Sequence, residues 1–151
     1  MTPRLEPFAA APVAMKAWLD FTLGLKALEP SLRELVKIRA SQINGCGNCL
    51  HMHARDARQM GETEMRIYLL NAWRESPLYS DRERAALAWT ETLTLVSTER
   101  AADNVYADLK AHFTDEEQVQ LTLLINAING WNRIAVGFGM VHPVEAAAAA
   151  A

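Results

Sequence analysis

Both cysteines of this chain lie in one short stretch, Gly45-Cys46-Gly47-Asn48-Cys49-Leu50-His51-Met52-His53, together with two of its four histidines. Two thiols at this spacing can oxidise to an intramolecular disulfide, but a ring this small gains almost nothing from loop closure. In a reducing compartment the pair therefore reads as redox or metal chemistry. Gly45 is a natural helix stop and a new helix should begin near Cys46, which puts both sulfurs in its first turn. Unsatisfied backbone N–H groups and the positive end of the helix dipole there favour thiolate. A sulfur oxidised by peroxide could be resolved by its neighbour before overoxidation. His53 follows Cys49 by four residues and shares its helix face, so its imidazole can take the thiol proton or, as a cation, stabilise the thiolate. His51 points to a different side.

Rival readings start from the same residues. Cys46, Cys49 and His53 are zinc ligand types, but a closed site needs a fourth, and His112 and His142 stand far away in sequence. Covalent haem attachment needs histidine directly after the second cysteine, where this chain has Leu50. Two merely buried cysteines are the plain alternative. Gly47 and Asn48 between them argue instead for an open turn.

Glu34 stands twelve positions before Cys46 and has two readings. Ser31-Leu32-Arg33-Glu34 has the Ser-x-x-Glu form of a capping box, in which the carboxylate only satisfies a backbone N–H. A continuous helix would hold Glu34 about 18 Å from Cys46, so direct contact with that sulfur is disfavoured. A hairpin folded at Gly45 instead brings Glu34 toward the turn of His53. The resulting order is Glu34 to His53 to Cys49, a carboxylate orienting an imidazole beside a thiol.

The elements that must position these groups read as helices throughout. Apolar residues recur at helical spacing from Val13 to Leu28, then Glu29-Pro30-Ser31 interrupts, with Ser31 as N-cap of a helix to Asn44. The cysteine helix runs to Gly61, and Thr63 caps a short helix through Asn71. Trp73–Ser80 reads as a connection. Ser-x-x-Glu and Thr-x-x-Glu boxes at Ser80 and Thr114 open helices to about Val96 and Val136, with a helix from Ala101 to His112 between them. No segment alternates with period two, so the fold class is all-α. The 151 residues fit one domain, with residues 1–12 and 144–151 as loose tails. A net charge of −3 without a basic block disfavours nucleic acid. Apolar runs fall short of the roughly 20 residues that cross a bilayer, and no basic segment leads into an apolar stretch at the start. A cytoplasmic protein is expected.

The spacing Glu34-x11-Cys46-x2-Cys49-x3-His53 resembles the pattern of the alkylhydroperoxidase AhpD-like family, within the carboxymuconolactone decarboxylase superfamily. Arg33-Glu34-Leu35-Val36 and Ile43-Asn44-Gly45-Cys46 extend the likeness, which runs from about residue 18 to 95. Asn129-Gly130-Trp131-Asn132-Arg133 is similar to an Asn-x-x-Asn-Arg segment of peroxidase-related members. The resemblance implies a multi-helix AhpD-like domain, a homo-oligomer (dimer, trimer or hexamer) and thiol-dependent peroxidase activity in antioxidant defence, with no cofactor and no metal. It also implies roles. Cys49 attacks the peroxide, Cys46 resolves the sulfenic acid, His53 and Glu34 relay protons, and an external thiol or dithiol returns electrons. AhpD carries histidine just before the second cysteine, where this chain has Asn48. Lactone decarboxylation is disfavoured, since the decarboxylases proper lack the cysteine pair. The rival of another class is a redox-sensing or zinc-binding interaction module without turnover. Trp18, Trp73, Trp89 and Trp131 read as core or interface before walls of a peroxide pocket, and Met52 and Met60 as packing, or as part of an apolar substrate pocket near the thiols. Asn129, Asn132 and Arg133 read first as a satisfied interhelical network, with approach to the dithiol or to a subunit interface as the alternative.

Overall fold

Local cap chemistry determines where most of the helices begin. Ser80 and Thr114 each accept a hydrogen bond from the N–H three residues on, while Glu83 and Glu117 reach back, so both capping boxes form. Thr63 caps the helix after it from one side only. A computed structural model describes residues 2–144. Its α-helices are α1 (Pro7–Ala10), α2 (Pro12–Gly24), α3 (Pro30–Asn44), α4 (Gly47–Gln59), α5 (Glu64–Tyr68), α6 (Asp81–Thr94), α7 (Asp103–His112) and α8 (Asp115–Phe138). A 3-10 turn, Leu70–Glu75, follows α5. No strand occurs among the described residues, and no described helix is long and apolar enough to cross a membrane.

Helix α3 is the centre of the molecule, packed against α4, α6 and α8. It is apolar on two faces. Leu32 and Val36 join a core with Leu109, Leu121 and Ile125, while Leu35 and Ile38 join a second core with Ala57, Leu70 and Trp73. Each such side chain, taken wholly from water, contributes about 1.5–3 kcal/mol. This double burial fixes the rotation of α3 and hence the direction of Glu34.

Three expectations need correction. The first long helix stops at Gly24 rather than Leu28, and Leu25 and Leu28 are buried from a non-helical connection. Glu29 precedes Pro30 and is held at φ −54°, ψ 137°, since a residue before proline avoids helical geometry. Pro30 therefore takes the first helical position, and Ser31 is not the N-cap. Its hydroxyl donates to Glu62 Oε2 at 3.2 Å. The third correction concerns residues 1–12, which are not a loose arm over the part described. Glu6 caps α1 through the N–H groups of Phe8 and Ala9, and Arg4 N–H donates to the Phe138 carbonyl at 2.8 Å. Phe8 stacks on Trp131 with ring centroids 6.2 Å apart. Residues 145–151 lie outside the described range.

Trp73 meets the expectation of a core residue, although it lies within regular structure and not at the start of a connection. It sits in the 3-10 turn, is buried, and donates its indole N–H to Glu91 at 2.8 Å. Across the α2–α8 contact, a Cβ at Gly130 would meet Trp18 Cζ2 at 2.6 Å. Gly130→Ala is therefore expected to cost about 1–3 kcal/mol by overpacking a rigid indole. Urea denaturation measures the loss, and an unchanged midpoint would contradict the close α2–α8 approach.

Candidate functional site

Gly45 closes α3 in the left-handed conformation, φ 65° and ψ 32°, and its N–H and that of Cys46 return to carbonyls of the last turn. The chain reverses there, so α4 packs back along α3. Cys46 becomes the N-cap of α4, and its Sγ accepts the Cys49 N–H at 3.3 Å. Both thiols are free, 1% and 2% exposed for Cys46 and Cys49. The open turn expected from Gly47 and Asn48 is thus corrected. Gly47 is exposed and Asn48 half-buried, while the sulfurs turn inward against Ala135 and Met140.

Burial and hydrogen bonding separate the two sulfurs electrostatically. The Cys49 thiol donates to Cys46, and that bond, aided by backbone N–H groups of Cys49 and Asn48 and by the Asn132 side chain, lowers the Cys46 pKa to about 7 against the cost of burial. Cys49 moves upward, first because its proton is held by Cys46 and then because it is buried. The expectation that both sulfurs are biased toward thiolate is therefore corrected: only Cys46 is. Since its pKa in the folded protein lies below the ordinary thiol value of 9.0, thiolate should form as pH rises through about 7 and disappear below it. Thiolate absorbance near 240 nm measures this. A Cys49→Ala variant should move the rise back toward the ordinary value, and a parent protein that shows no rise until pH 9 would refute the assignment to Cys46.

One turn farther along α4, His53 Nδ1 and Glu34 Oε2 are 2.9 Å apart, both side chains almost wholly buried. The capping-box reading of Glu34 fails because Pro30 displaces the helix start, leaving its carboxylate free to turn inward. Lys37 Nζ donates to the second oxygen, Oε1, at 2.6 Å. Burial alone would raise the Glu34 pKa. The hydrogen bonds from His53 and Lys37 and the charge of Lys37 outweigh it and hold the carboxyl below the ordinary range. An ionised Glu34 accepts the Nδ1–H and leaves Nε2 of His53 as the basic nitrogen. Among the described residues, His53 makes no direct hydrogen bond to Cys49, so only the first link of the expected order is formed by direct contact.

His53 lines a cavity of about 370 Å³ with Phe8, Leu23, Met52, Leu124, Ile128 and Trp131. Its few polar members include Thr22, Lys37, Asn48 and Asp56, and Asp56 lies close to His53. Met140 belongs both to this lining and to the cluster packed around the sulfurs, while neither sulfur lines the cavity itself. A larger hollow of about 530 Å³ between Trp89, Tyr106 and Val119 shares no residue with the dithiol or with Glu34 and His53. Glu34, His53 and Asp56 present potential metal-ligand atoms within 4.8 Å of one another, and neither sulfur belongs to that group. Lys37 already occupies one Glu34 oxygen, which opposes a cation there.

The other expected residues divide between a polar network and the cavity wall. Asn132, which helps to lower the Cys46 pKa, donates to Ser41 Oγ at 3.0 Å and accepts from Asn44 at 2.8 Å. Asn129 accepts from Asn44 and Arg133 in the same network. Met52 and Trp131 reach the cavity, whereas Met60 is 55% exposed. His142 is not isolated, since it stacks on His51 with centroids 4.8 Å apart. Phe8 and Met140 carried no signal in the sequence. The one cue for Lys37 was its i+3 spacing from Glu34.

A sequence profile of the Carboxymuconolactone decarboxylase family matches residues 12–92. The chain is 45% identical to YdfG of Bacillus subtilis (strain 168), over 92% of this chain and 96% of that protein. Its fold superposes with a TM-score of 0.92 on ATU0492 from Agrobacterium tumefaciens, a protein of unknown function suggested to be the antioxidant defence protein AhpD. That pair is 44% identical, with 95% of this chain and all of the other covered. A peroxidase-related protein from Silicibacter sp. TM1040 follows at TM-score 0.72 and 28% identity, over 85% and 68% of the two chains.

Proposed function

This chain belongs to the carboxymuconolactone decarboxylase family, with an AhpD-like fold, and from that premise we propose that it reduces organic hydroperoxides through a Cys46–Cys49 dithiol–disulfide cycle. The observation that carries the reading is the buried Glu34–His53 hydrogen bond of 2.9 Å, one helical turn from a reduced dithiol. The cysteine pair favours this over lactone decarboxylation.

In the proposed cycle, His53 Nε2 takes the Cys49 proton and the Cys49 sulfur attacks the terminal peroxide oxygen. The O–O bond breaks, an S–O bond forms, and the leaving alkoxide receives the proton from His53 as alcohol. Cys46, already biased toward thiolate, then attacks the sulfenic sulfur. The S–S bond forms and hydroxide leaves, to be protonated to water. An external thiol or dithiol supplies two electrons and two protons to restore both thiols. The different environments of the two sulfurs suit these different tasks. Cys49 needs a base and shares a helix face with one, whereas Cys46 needs only its charge. The apolar cavity beside His53 supports a substrate whose peroxide group is attached to an apolar body. A homo-oligomeric assembly accompanies this reading.

One observation favours the reverse order: Cys46, with its pKa near 7, is the stronger thiolate and so the stronger nucleophile at rest. Dimedone trapping separates the two. Sulfenic acid accumulating on Cys49 in a Cys46→Ser protein supports attack by Cys49. Equal trapping on Cys46 in a Cys49→Ser protein reverses the order. The function itself is tested by steady-state consumption of an organic hydroperoxide and of hydrogen peroxide with a dithiol reductant. Absence of turnover with both would leave a redox-sensing module in place of an enzyme.

A further inference from the structure

We propose that Lys37 is a positioning residue of the site, which keeps Glu34 ionised without requiring His53 to carry charge and so leaves His53 available as a base. The inference rests on the relay role proposed for His53. Its structural ground is the division of the Glu34 carboxylate, with Oε2 paired to His53 Nδ1 at 2.9 Å and Oε1 to Lys37 Nζ at 2.6 Å.

Lys37 and Glu34 stand one turn apart on α3, a spacing that on a helix surface gives only a minor ion pair. Lys16 and Asp20 on α2 are such a pair, with side chains 73% and 57% exposed. Lys37 and Glu34 differ, at 18% and 6%. A carboxylate this buried must be balanced by a nearby charge or take up a proton. Lys37 supplies a full positive charge and lines the same cavity as His53. With it in place, a neutral imidazole donates Nδ1–H to the carboxylate and keeps Nε2 unprotonated. Without it, the remaining way to compensate Glu34 is a proton held on the Glu34–His53 couple. That proton removes the base.

No other cation competes for this place among the described residues. On α4, Asp56 lies beside His53, and Cys46 and Cys49 stand at the helix start. Around the cavity, α2 presents Leu19, Thr22 and Leu23, α8 presents Leu124, Ile128 and Trp131, and Phe8 and Met140 complete the wall. None of these last residues titrates. Of the other charged groups near His53, Asp56 is paired with the exposed Arg55 at 3.3 Å and the Cys49 thiol keeps its proton, so Lys37 is the cation that balances Glu34.

The test uses the full chain as parent, Lys37→Met and Lys37→Arg. In the first measurement, NMR follows the Glu34 side-chain carboxyl carbon through a pH titration, a readout independent of activity. Lys37→Met should make Glu34 titrate at higher pH than in the parent, and Lys37→Arg should restore it. In the second, the acid limb of the pH–rate profile for hydroperoxide should move up in Lys37→Met. The rate on that limb should fall about tenfold, for a displacement of about one pH unit, and the deficit should shrink as pH rises. An unchanged Glu34 titration in Lys37→Met overturns the proposal. So does a rate loss equal at every pH, which would mark Lys37 as packing. If the parent shows no turnover, the peroxidase reading fails while the NMR measurement still decides the role of Lys37.

Discussion

A Cys49→Ser protein is expected to lose hydroperoxide turnover by at least roughly 10³-fold, because the hydroxyl that replaces the thiol is a far weaker nucleophile at neutral pH. Steady-state hydroperoxide consumption with a dithiol reductant measures it, with circular dichroism to show that the fold persists. The change is nearly isosteric at a site that is 2% exposed, so stability should change little compared with activity. The variant also tests the coupling of the two sulfurs. Cys46 owes the largest part of its lowered pKa to the Cys49 thiol, and serine donates a hydrogen bond of its own from the same position. Thiolate absorbance near neutral pH should therefore weaken less in Cys49→Ser than in Cys49→Ala. Undiminished turnover in Cys49→Ser would end the assignment of Cys49 as the attacking sulfur.

The second large effect is expected at His53. Replacing it by glutamine keeps a polar group beside Glu34 but removes the titrating nitrogen. General acid–base catalysis contributes typically 10²–10⁴-fold, and His53→Gln should lower kcat/KM by an amount in that range. Glu34→Gln should cost less, since it perturbs the orientation and charge of the imidazole without removing it. If the two act as one unit, the double variant should be no worse than His53→Gln alone. Fully additive losses would show that Glu34 serves some purpose apart from His53. The folded state should survive each change, because Lys37 still pairs with Glu34 in the first and the hairpin around Gly45 remains packed in both.

Much of the site was legible in the chain because it is built from two consecutive helices. Gly45 reverses the chain, and once it does, the distance from the turn determines which residue of α3 meets which residue of α4. Glu34 and His53 are brought together in this way. The all-α class was legible for a related reason. Helical periodicity and the caps at Thr63, Ser80 and Thr114 are written within four residues of where they act.

Glu34 shows the limit of such reading. Its spacing from Ser31 fitted a capping box and its spacing from the cysteines fitted a relay. Pro30 decided between them by taking the first helical position and moving the cap back to Glu29. Burial of the sulfurs was misread for a comparable reason. The sequence places Gly47 and Asn48 between the cysteines, but Ala135 and Met140, which cover them, arrive from the far end of α8 and the segment beyond it. Asn132 reaches the thiols, and Phe8 closes the cavity, from equally distant positions.

The helices, the hairpin and the pairing of residues across it were thus set by the order of residues alone, because they follow from contacts between near neighbours. Long-range packing buried the two sulfurs and the Glu34–Lys37 pair, and it opened an apolar cavity beside His53. Those outcomes depend on desolvation and on charges from several helices at once. Burial reverses or amplifies an interaction that spacing along one helix leaves undetermined.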